Sequence, residues 1–396
     1  MGGYVNGYSI IQDLHQNGVE WIYLVDKERS AGSYSNKIKH FFEVEMSPVS
    51  IYRVLDELHT EFEKIVIYPT NDLQLEILYE LWDVIGRFCF IPTNRTNFKR
   101  CLEKSYQYAK CEELGVPCPK TVRLNCVDGL KRLNGLYPVI VKPITREDEK
   151  SDVFRNLVVN GEQETEKIAL IESYLRQGIS FIASEIVQGD GSYVCAYVCY
   201  RSQGGQILAE WTGSKLAQFP DNFGVFSSAT NKTIDLVRAD GDGLHVISSH
   251  NILIDLGRKL VEGMDLKGIV EPEFKYDCKD RQFKLMEINL RSMMWHRVGN
   301  LSGVSLPYAQ YVDAVGSDKP LSRTVQCNTK WVHFVYLRYE LVNLLRRKGY
   351  WTLFRHNLFG ADQVSLALFE WRDPLPFLMD MWRMVSGYVK KVMIRD

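Results

Sequence analysis

The side chains best suited to chemistry gather in residues 268–292, GIVEPEFKYDCKDRQFKLMEINLRS. Two runs there, 269–276 and 282–289, alternate apolar and polar residues around Asp277, Cys278, Lys279 and Asp280, which predicts a strand, a turn and a strand. Because successive strand side chains point to opposite faces, Glu271 and Glu273 share one face of the first strand, and Glu287 and Asn289 share one face of the second. Folding at the turn brings Glu273 near Glu287. Two carboxylates and an amide oxygen held a few ångströms apart form a hard donor set that suits Mg²⁺, an ion that commonly keeps substrate phosphates in its shell. A solvated acidic face is the alternative this stretch leaves open, since alternating polar residues are common on strands with one wet face.

Lysines at the ends of regular elements offer a second kind of chemistry. Lys142 nearly closes the apolar run YPVIVKP at 137–143, where a rigid strand would present a point charge to a phosphate oxygen; a snorkelling surface lysine is the alternative. Lys104 and Lys110 lie on a helix expected over 100–114, which stops at Gly115 ahead of Pro117 and Pro119. Lys215 falls in an aromatic, glycine-containing loop made of residues 211–215 and 219–224. Thr70, Asn71 and Asp72 follow a strand end, where open α/β sheets place ligand loops, yet Asp72 reads first as the N-cap of the next helix. Gly2 and Gly3 precede a helix and could cradle a phosphate, but no strand leads into them and no GxGxxG spacing is present.

Elements that would carry these groups follow from the same pattern. The chain has 396 residues, enough for two or three domains. Strands near 21–25, 41–44, 65–68 and 88–91 alternate with helices over 49–61 and 72–86, which predicts a parallel sheet with helices on both faces. The strand expected ahead of the first glycines is missing, so either the fold does without it or the true start lies upstream of Met1. Further on, a charged loop at 145–155 precedes a helix over 164–177. Strands over 181–187 and 193–200 flank Gln188, Gly189, Asp190 and Gly191, and a helix over 252–264 leads into the acidic hairpin. Lys plus Arg number 48 against 49 Asp plus Glu, so no global field would draw in nucleic acid. Nine cysteines without metal-ligand spacing suit a reducing cytosol. No apolar run reaches the ~18 residues of a membrane span. In the tail, residues 330–340 read as a strand and 341–348 as a basic helix. Residues 375–394 read as an amphipathic helix with Lys390, Lys391 and Arg395 at its end. Such a helix packs on its own domain, packs on a second subunit as in a homodimer, or makes peripheral contact with an anionic membrane.

The order of these landmarks resembles the ATP-grasp superfamily of carboxylate-amine ligases. The pieces are KSYQYAKCEELGVPCPKT from Lys104, YPVIVKP with Lys142, ASEIVQGDG with Glu185, GIVEPEF from Gly268 and MEINLRS from Met286. Within the superfamily, GSKLAQFPDNFG is similar to the D-aspartate ligase and carbamoyl-phosphate-synthase-like members. The resemblance implies a mixed α/β and α+β fold: an N-terminal open parallel α/β domain at 1–99, and a two-lobed ATP-grasp domain at 100–320. Its lobes would be 100–184 and 185–320, the second with the metal site, and 321–396 would form a C-terminal strand and amphipathic helical extension.

It further implies that Lys104 and Lys142 contact ATP phosphates and that Glu185, Ile186 and Val187 line the adenine. Glu273, Glu287 and Asn289 would hold Mg²⁺, with Mn²⁺ able to substitute. Arg291 would face the reacting carboxyl, and Lys215 would approach substrate or γ-phosphate. Two positions depart from the pattern. Many relatives carry a ribose-binding glutamate where this chain has Ser192, with Asp190 a substitute nearby. Many also have a glycine-rich lid, whereas 145–155 contains no glycine and would cover phosphate with Arg146, Lys150 or Arg155. Glu271 has no counterpart in the pattern, and His296 and Arg297 read as substrate-carboxylate binders or as structural residues. The implied activity is ADP-forming amide synthesis from a carboxylate and an amine through an acyl phosphate, with a cell-surface glycan or peptide precursor as one acceptor. A non-catalytic nucleotide-binding module and carboxyphosphate or carbamoyl-phosphate chemistry are the alternatives.

Overall fold

The computed structural model describes residues 1–144, 153–189, 191–219, 225–240, 243–317, 321–322 and 324–393. The N-terminal part runs α1 (Val5–Gln16), β1 (Tyr23–Asp26), β2 (His40–Glu43), α2 (Pro48–His59), β3 (Ile65–Val66), α3 (Asp72–Ile85) and β4 (Cys89–Phe90). β1 pairs with β2 and β3 with β4, both parallel as the alternation predicts, but as two separate two-stranded sheets instead of the one continuous sheet expected. The Met1 amino group donates to the Tyr68 carbonyl (2.8 Å) and the Gly2 amide to the Val25 carbonyl (2.8 Å), so the first residues bridge the two strand pairs. The Gly3 amide is taken by the Asp26 carboxylate (2.8 Å), which turns the glycine loop toward its own strand end. Pro48 starts α2 behind a Ser47 cap, and the residues at helical spacing, Ile51, Val54, Leu55 and Leu58, pack against Ile77, Leu78 and Ile85 of α3.

The helix expected over 100–114 is broken into α4 (Phe98–Cys101) and α5 (Lys104–Leu114), so Lys104 opens a helix instead of riding mid-way along one. Next come β5 (Thr121–Leu124), β6 (Val139–Pro143), β7 (Leu157–Val159), α6 (Thr165–Arg176) and β8 (Phe181–Glu185). These strands form an antiparallel sheet in the order β5-β8-β6-β7, and α6 covers it with Ile171 and Leu175 over Val139, Val141 and Phe181.

Then follow β9 (Val194–Arg201), β10 (Ile207–Phe219), β11 (Val225–Thr230), the hairpin β12 (Asp235–Asp240) and β13 (Gly243–Ser248), and α7 (Ser249–Gly263). Residues 211–215, expected in a loop, lie inside β10. Trp211 is buried in the core and its neighbours pair with β9 on one side and β11 on the other, so sheet packing overrides the glycine signal. The acidic hairpin is β14 (Gly268–Asp277) and β15 (Gln282–Asn289), followed by α8 (Arg297–Leu301) and α9 (Leu306–Val315). Gly268 has φ +86°, and a Cβ there would sit 2.7 Å from the Pro92 carbonyl oxygen, so glycine lets β14 start hard against the N-terminal part.

The tail contains β16 (Thr329–Val332), α10 (Leu337–Arg346), α11 (Trp351–Leu358), β17 (Gln363–Leu366) and α12 (Leu375–Met393). Among the described residues one sheet runs β15-β14-β9-β10-β11-β16-β17, so the tail extends the sheet that carries the hairpin. The strand expected over 330–340 ends at Val332. Beyond His333 the leucines recur at helical spacing (Leu337, Leu341, Leu344), and α10 begins there. The tail also grips the N-terminal part. Asp373 accepts from the Tyr8 hydroxyl (3.0 Å), the Ser35 hydroxyl (2.5 Å) and the Asn36 amide (3.1 Å), and it pairs with buried Lys37 (3.4 Å), which also meets Glu370 (3.1 Å). α12 then packs beside residues 31–34, with Leu375, Leu378 and Trp382 left exposed. No helix among the described residues is long and apolar enough to cross a membrane.

Candidate active site

The hairpin places Glu273 directly opposite Glu287 and Glu271 opposite Asn289. Between the first of these pairs and Phe274↔Leu285 the register slips by one residue, so Met286 is a bulge, and the Tyr108 hydroxyl from α5 donates to its carbonyl (3.0 Å). The slip has a consequence for the faces. Val270, Phe274, Phe283, Leu285 and Ile288 join one hydrophobic core, while Lys284 is brought onto the same polar face as Glu287 despite its even number. The β14 acids are buried, Glu271 0% and Glu273 9% exposed, which rules out a solvated face on that strand, while Glu287 and Asn289 on β15 are half-buried.

Glu271, without a counterpart in the family pattern, holds structure together. It accepts from the Trp295 indole (3.3 Å) and contacts His296 Nε2 (3.2 Å). This places His296 beneath the hairpin; Arg297 bonds Gln16 (3.0 Å) and Asn300, the structural alternative for both.

Three lysines surround the Glu273 and Glu287 pair. Lys104 opens α5, where a cation runs against the helix dipole; its counter-charge is Glu287, 3.4 Å away. Lys215 on β10 forms a buried ion pair with Glu273 and lies 5.0 Å from the Phe226 ring centroid. Lys142 sits on β6 one residue from its end. Burial, then the nearby Lys104 charge, pushes the Lys142 ammonium down to about 8. Burial alone would raise Glu287, but Lys104, Lys215 and Lys142 together with an Asn289 hydrogen bond (3.4 Å) hold it down at about 2. Glu273 is pushed up by its burial and by Glu287 and Glu271, against the pull of Lys215. Crowded oxygen donors of this kind, two carboxylates and an amide on adjacent strands, fit a divalent cation. Elsewhere Glu185, Asp277 and Asp280 converge, but the Lys284 ammonium occupies their centre at 2.7, 2.8 and 2.5 Å and neutralises them.

A cavity of about 1030 Å³ opens between the N-terminal part and the two sheets. Lys104, Lys142 and Glu287 all line it, together with Ile144, Ile182 and Arg155. On its other wall stand Asp72, Glu76 and Glu80, one acidic face of α3 at i, i+4 spacing. Asp72 is not the helix cap, a role taken by Asn71, whose side chain accepts from the Gln74 amide (2.9 Å). One residue further along, Asp72 is free of the capping geometry and accepts from Arg291 Nε (2.6 Å), tying α3 to the strand end beyond Asn289. Arg291 borders a separate small pocket with Tyr68, Pro92 and Thr93.

Glu185 ends β8, with its carboxylate held by Lys284 and by the Lys120 amide (3.1 Å). The Ile186 amide donates to the Pro138 carbonyl (3.2 Å) and Val187 is buried, so the hinge is fastened to the first sheet without forming part of the cavity lining. Ser192 lies in a short 3₁₀ turn at Gly191–Tyr193. Asp190, Arg146 and Lys150, and residues 220–224 of the loop expected around Lys215, lie outside the described residues.

Lys284, Glu76 and Glu80 are what sequence reading missed, while it singles out Asp72 only as a ligand-loop residue or a cap. The i, i+4 spacing of Asp72, Glu76 and Glu80 was available as a signal, whereas strand parity pointed Lys284 to the wrong face until the bulge is known.

No protein-family model matches the chain, and no curated protein matches it. Solved structures do. The N5-carboxyaminoimidazole synthetase from Staphylococcus aureus complexed with ADP is 14% identical, with a TM-score of 0.64 over 88% of this chain and 84% of that one. The biotin carboxylase–β,γ-ATP complex from Campylobacter jejuni gives 14% identity and a TM-score of 0.61 over 80% and 71%. Phosphoribosylglycinamide synthetase from Anaerococcus prevotii gives 13% and 0.57 over 80% and 74%. These are ATP-grasp proteins, and the chain has their fold.

Proposed function

We propose that this ATP-grasp fold is an ADP-forming carboxylate-amine ligase of the branch similar to D-aspartate ligase and carbamoyl-phosphate synthase. One observation carries the reading: Lys104, Lys142 and Glu287, from a helix start and two different sheets, converge on a single cavity of about 1030 Å³. In this reading residues 1–99 form the preceding domain, 100–320 the catalytic domain and 321–396 an extension. ATP would lie with its phosphates in the cavity on Lys104 and Lys142, its adenine extending beyond the cavity lining to Glu185, Ile186 and Val187, and its ribose near Asp190 and Ser192. Glu273, Glu287 and Asn289 would hold Mg²⁺, or Mn²⁺ in its place, and the ion would neutralise charge building on the phosphate oxygens.

A carboxylate is a poor acyl donor because its leaving group would be oxide. Its oxygen therefore attacks the γ-phosphorus, the bond to the ADP oxygen breaks, and an acyl phosphate forms. The amine nitrogen then attacks the acyl carbon, phosphate leaves, and a proton passes to solvent. Lys142 and Lys104 position the phosphates in line, and Lys215 steadies Glu273 and reaches toward substrate or γ-phosphate. Arg291 exchanges Asp72 for the reacting carboxyl and stabilises the tetrahedral oxyanion. The acids of α3 put a cation-attracting wall opposite the lysines, which suits an amine entering from that side. An amino acid or amine joined to a cell-surface glycan or peptide precursor is the product class, made in a reducing cytoplasm that fits nine free thiols.

The test is release of ADP from Mg²⁺ATP with panels of carboxylates and amines. Amine-dependent ADP release that Glu287→Gln abolishes is the expected result. ADP release that needs bicarbonate and no organic acid would replace the reading with carboxyphosphate chemistry, and nucleotide binding without turnover on any pair would reduce it to a binding module.

A further inference from the structure

The hairpin of α10 and α11 is a basic, apolar tip on a chain whose net charge is −1. Leu345 is 87% and Trp351 58% exposed, and Leu341 and Leu353 on the same two helices are exposed as well. Arg346 closes α10 and Arg347 and Lys348 begin the turn to α11, with exposed Arg338 and Arg355 on the two helices. The one acid between residues 334 and 361, Glu340, is 1% exposed. It accepts from the Tyr350 hydroxyl (3.0 Å) and the Asn357 amide (3.0 Å), which pins the two helices together behind the turn. The negative charge is thus spent inside, and the Lys and Arg side chains exposed on the tip stand among large exposed apolar ones without an exposed acid between residues 334 and 361.

We propose that this tip docks the protein on an anionic phospholipid bilayer. Cations alone would suit any polyanion, but aliphatic side chains left this exposed gain nothing from a phosphate backbone. They gain by burial among acyl chains, and tryptophan favours the headgroup boundary. Arg and Lys beside them gain about 1 kcal/mol each near an anionic surface. The element differs from α12, the basic amphipathic helix for which the sequence leaves packing on its own domain, packing on a second subunit and peripheral membrane contact as alternatives. α12 is partly taken up by the N-terminal part, where Arg383 donates to the Arg29 carbonyl.

The experiment is flotation of the full chain with phosphatidylcholine vesicles containing about 30 mol % phosphatidylglycerol, against phosphatidylcholine alone. Binding to the anionic vesicles that weakens in about 1 M salt is expected. Arg346→Ala with Lys348→Ala removes two contributions of about 1 kcal/mol and should lower partitioning about 30-fold. Leu345→Glu with Trp351→Glu should abolish it, and both variants should melt like the parent because all four side chains are exposed.

No binding of the parent chain, equal binding to neutral vesicles, or loss on Trp382→Glu but not on the tip variants would overturn the assignment. So would a tip-dependent affinity for a labelled oligonucleotide, or tip-dependent self-association in light scattering, without vesicle binding. ADP release measured without lipid is independent of this result, so failure here leaves the ligase reading intact.

Discussion

Nucleotide affinity should fall as pH rises through about 8, and the structure says which proton is responsible. Lys142 is pushed down from 10.5 to about 8, first by burial and then by the charge of Lys104. If only the ammonium form grips phosphate, it is about nine-tenths populated at pH 7 and about one-tenth at pH 9, so the apparent Kd should weaken about tenfold between them. The slope should approach one decade per pH unit above that. Lys104→Met removes the neighbouring cation, so the break should move to higher pH even though the variant binds more weakly throughout. Lys142→Arg should flatten the profile, because a guanidinium stays charged.

Titration calorimetry with ADP across this range reads the affinity directly. Stability gives an independent check with the opposite sense. A lysine whose folded value lies below 10.5 binds fewer protons folded than unfolded above pH 8, so its contribution to stability should grow as pH rises from about 8 toward 10.5. An affinity that stays flat from pH 7 to 9.5, or a break that Lys104→Met does not move, would refute the placement of Lys142 on the phosphates.

The other predictions concern what holds the site in place. Asp373→Ala strands buried Lys37 with Glu370 alone and orphans three donors, so unfolding in urea should show a loss of about 3–5 kcal/mol. A loss below about 1 kcal/mol would mean that the tail does not grip the N-terminal part. Glu271→Ala leaves the Trp295 indole and His296 without their buried partner and should cost about 3 kcal/mol by the same measurement. Burial pushes His333 down from 6.5 to about 4, so stability should be full above 6.5 and decline as pH falls toward 4, by about 1.4 kcal/mol per pH unit. His333→Gln should remove that slope.

Much of this architecture is visible in local pattern. The acidic hairpin and its turn follow from period-two alternation and turn residues, and the strands carrying Lys142 and Glu185 from short apolar runs, signals that act over a few residues, though the second strand stops at Glu185 and not at 187. Pattern failed where distant packing decided the outcome. Residues 211–215 look like a loop because of Gly213, yet that glycine is required in the strand because Trp211, Trp295 and the Thr230 carbonyl crowd it. Asp72 looks like a cap, and only the fold reveals Asn71 in that role and Arg291 as the partner of Asp72.

What the sequence determined by itself is chemical identity and rough spacing: two carboxylates and an amide on one hairpin, lysines on separate elements ahead of it, and the order that resembles ATP-grasp ligases. The tertiary structure decided which of them meet. A one-residue bulge at Met286 resets strand parity and sets Lys284 among Glu185, Asp277 and Asp280, leaving Glu273 and Glu287 to Lys104, Lys215 and Lys142. A break at Leu102 and Glu103 moves Lys104 to a helix start facing Glu287. Neither the bulge nor the break has a local signature in residue type. Both are set by what packs behind them, Tyr108 on the Met286 carbonyl and Gln107 bonded to both the Cys101 carbonyl (2.8 Å) and the Ile288 amide (3.1 Å), contacts that exist only once the helix and the hairpin have met.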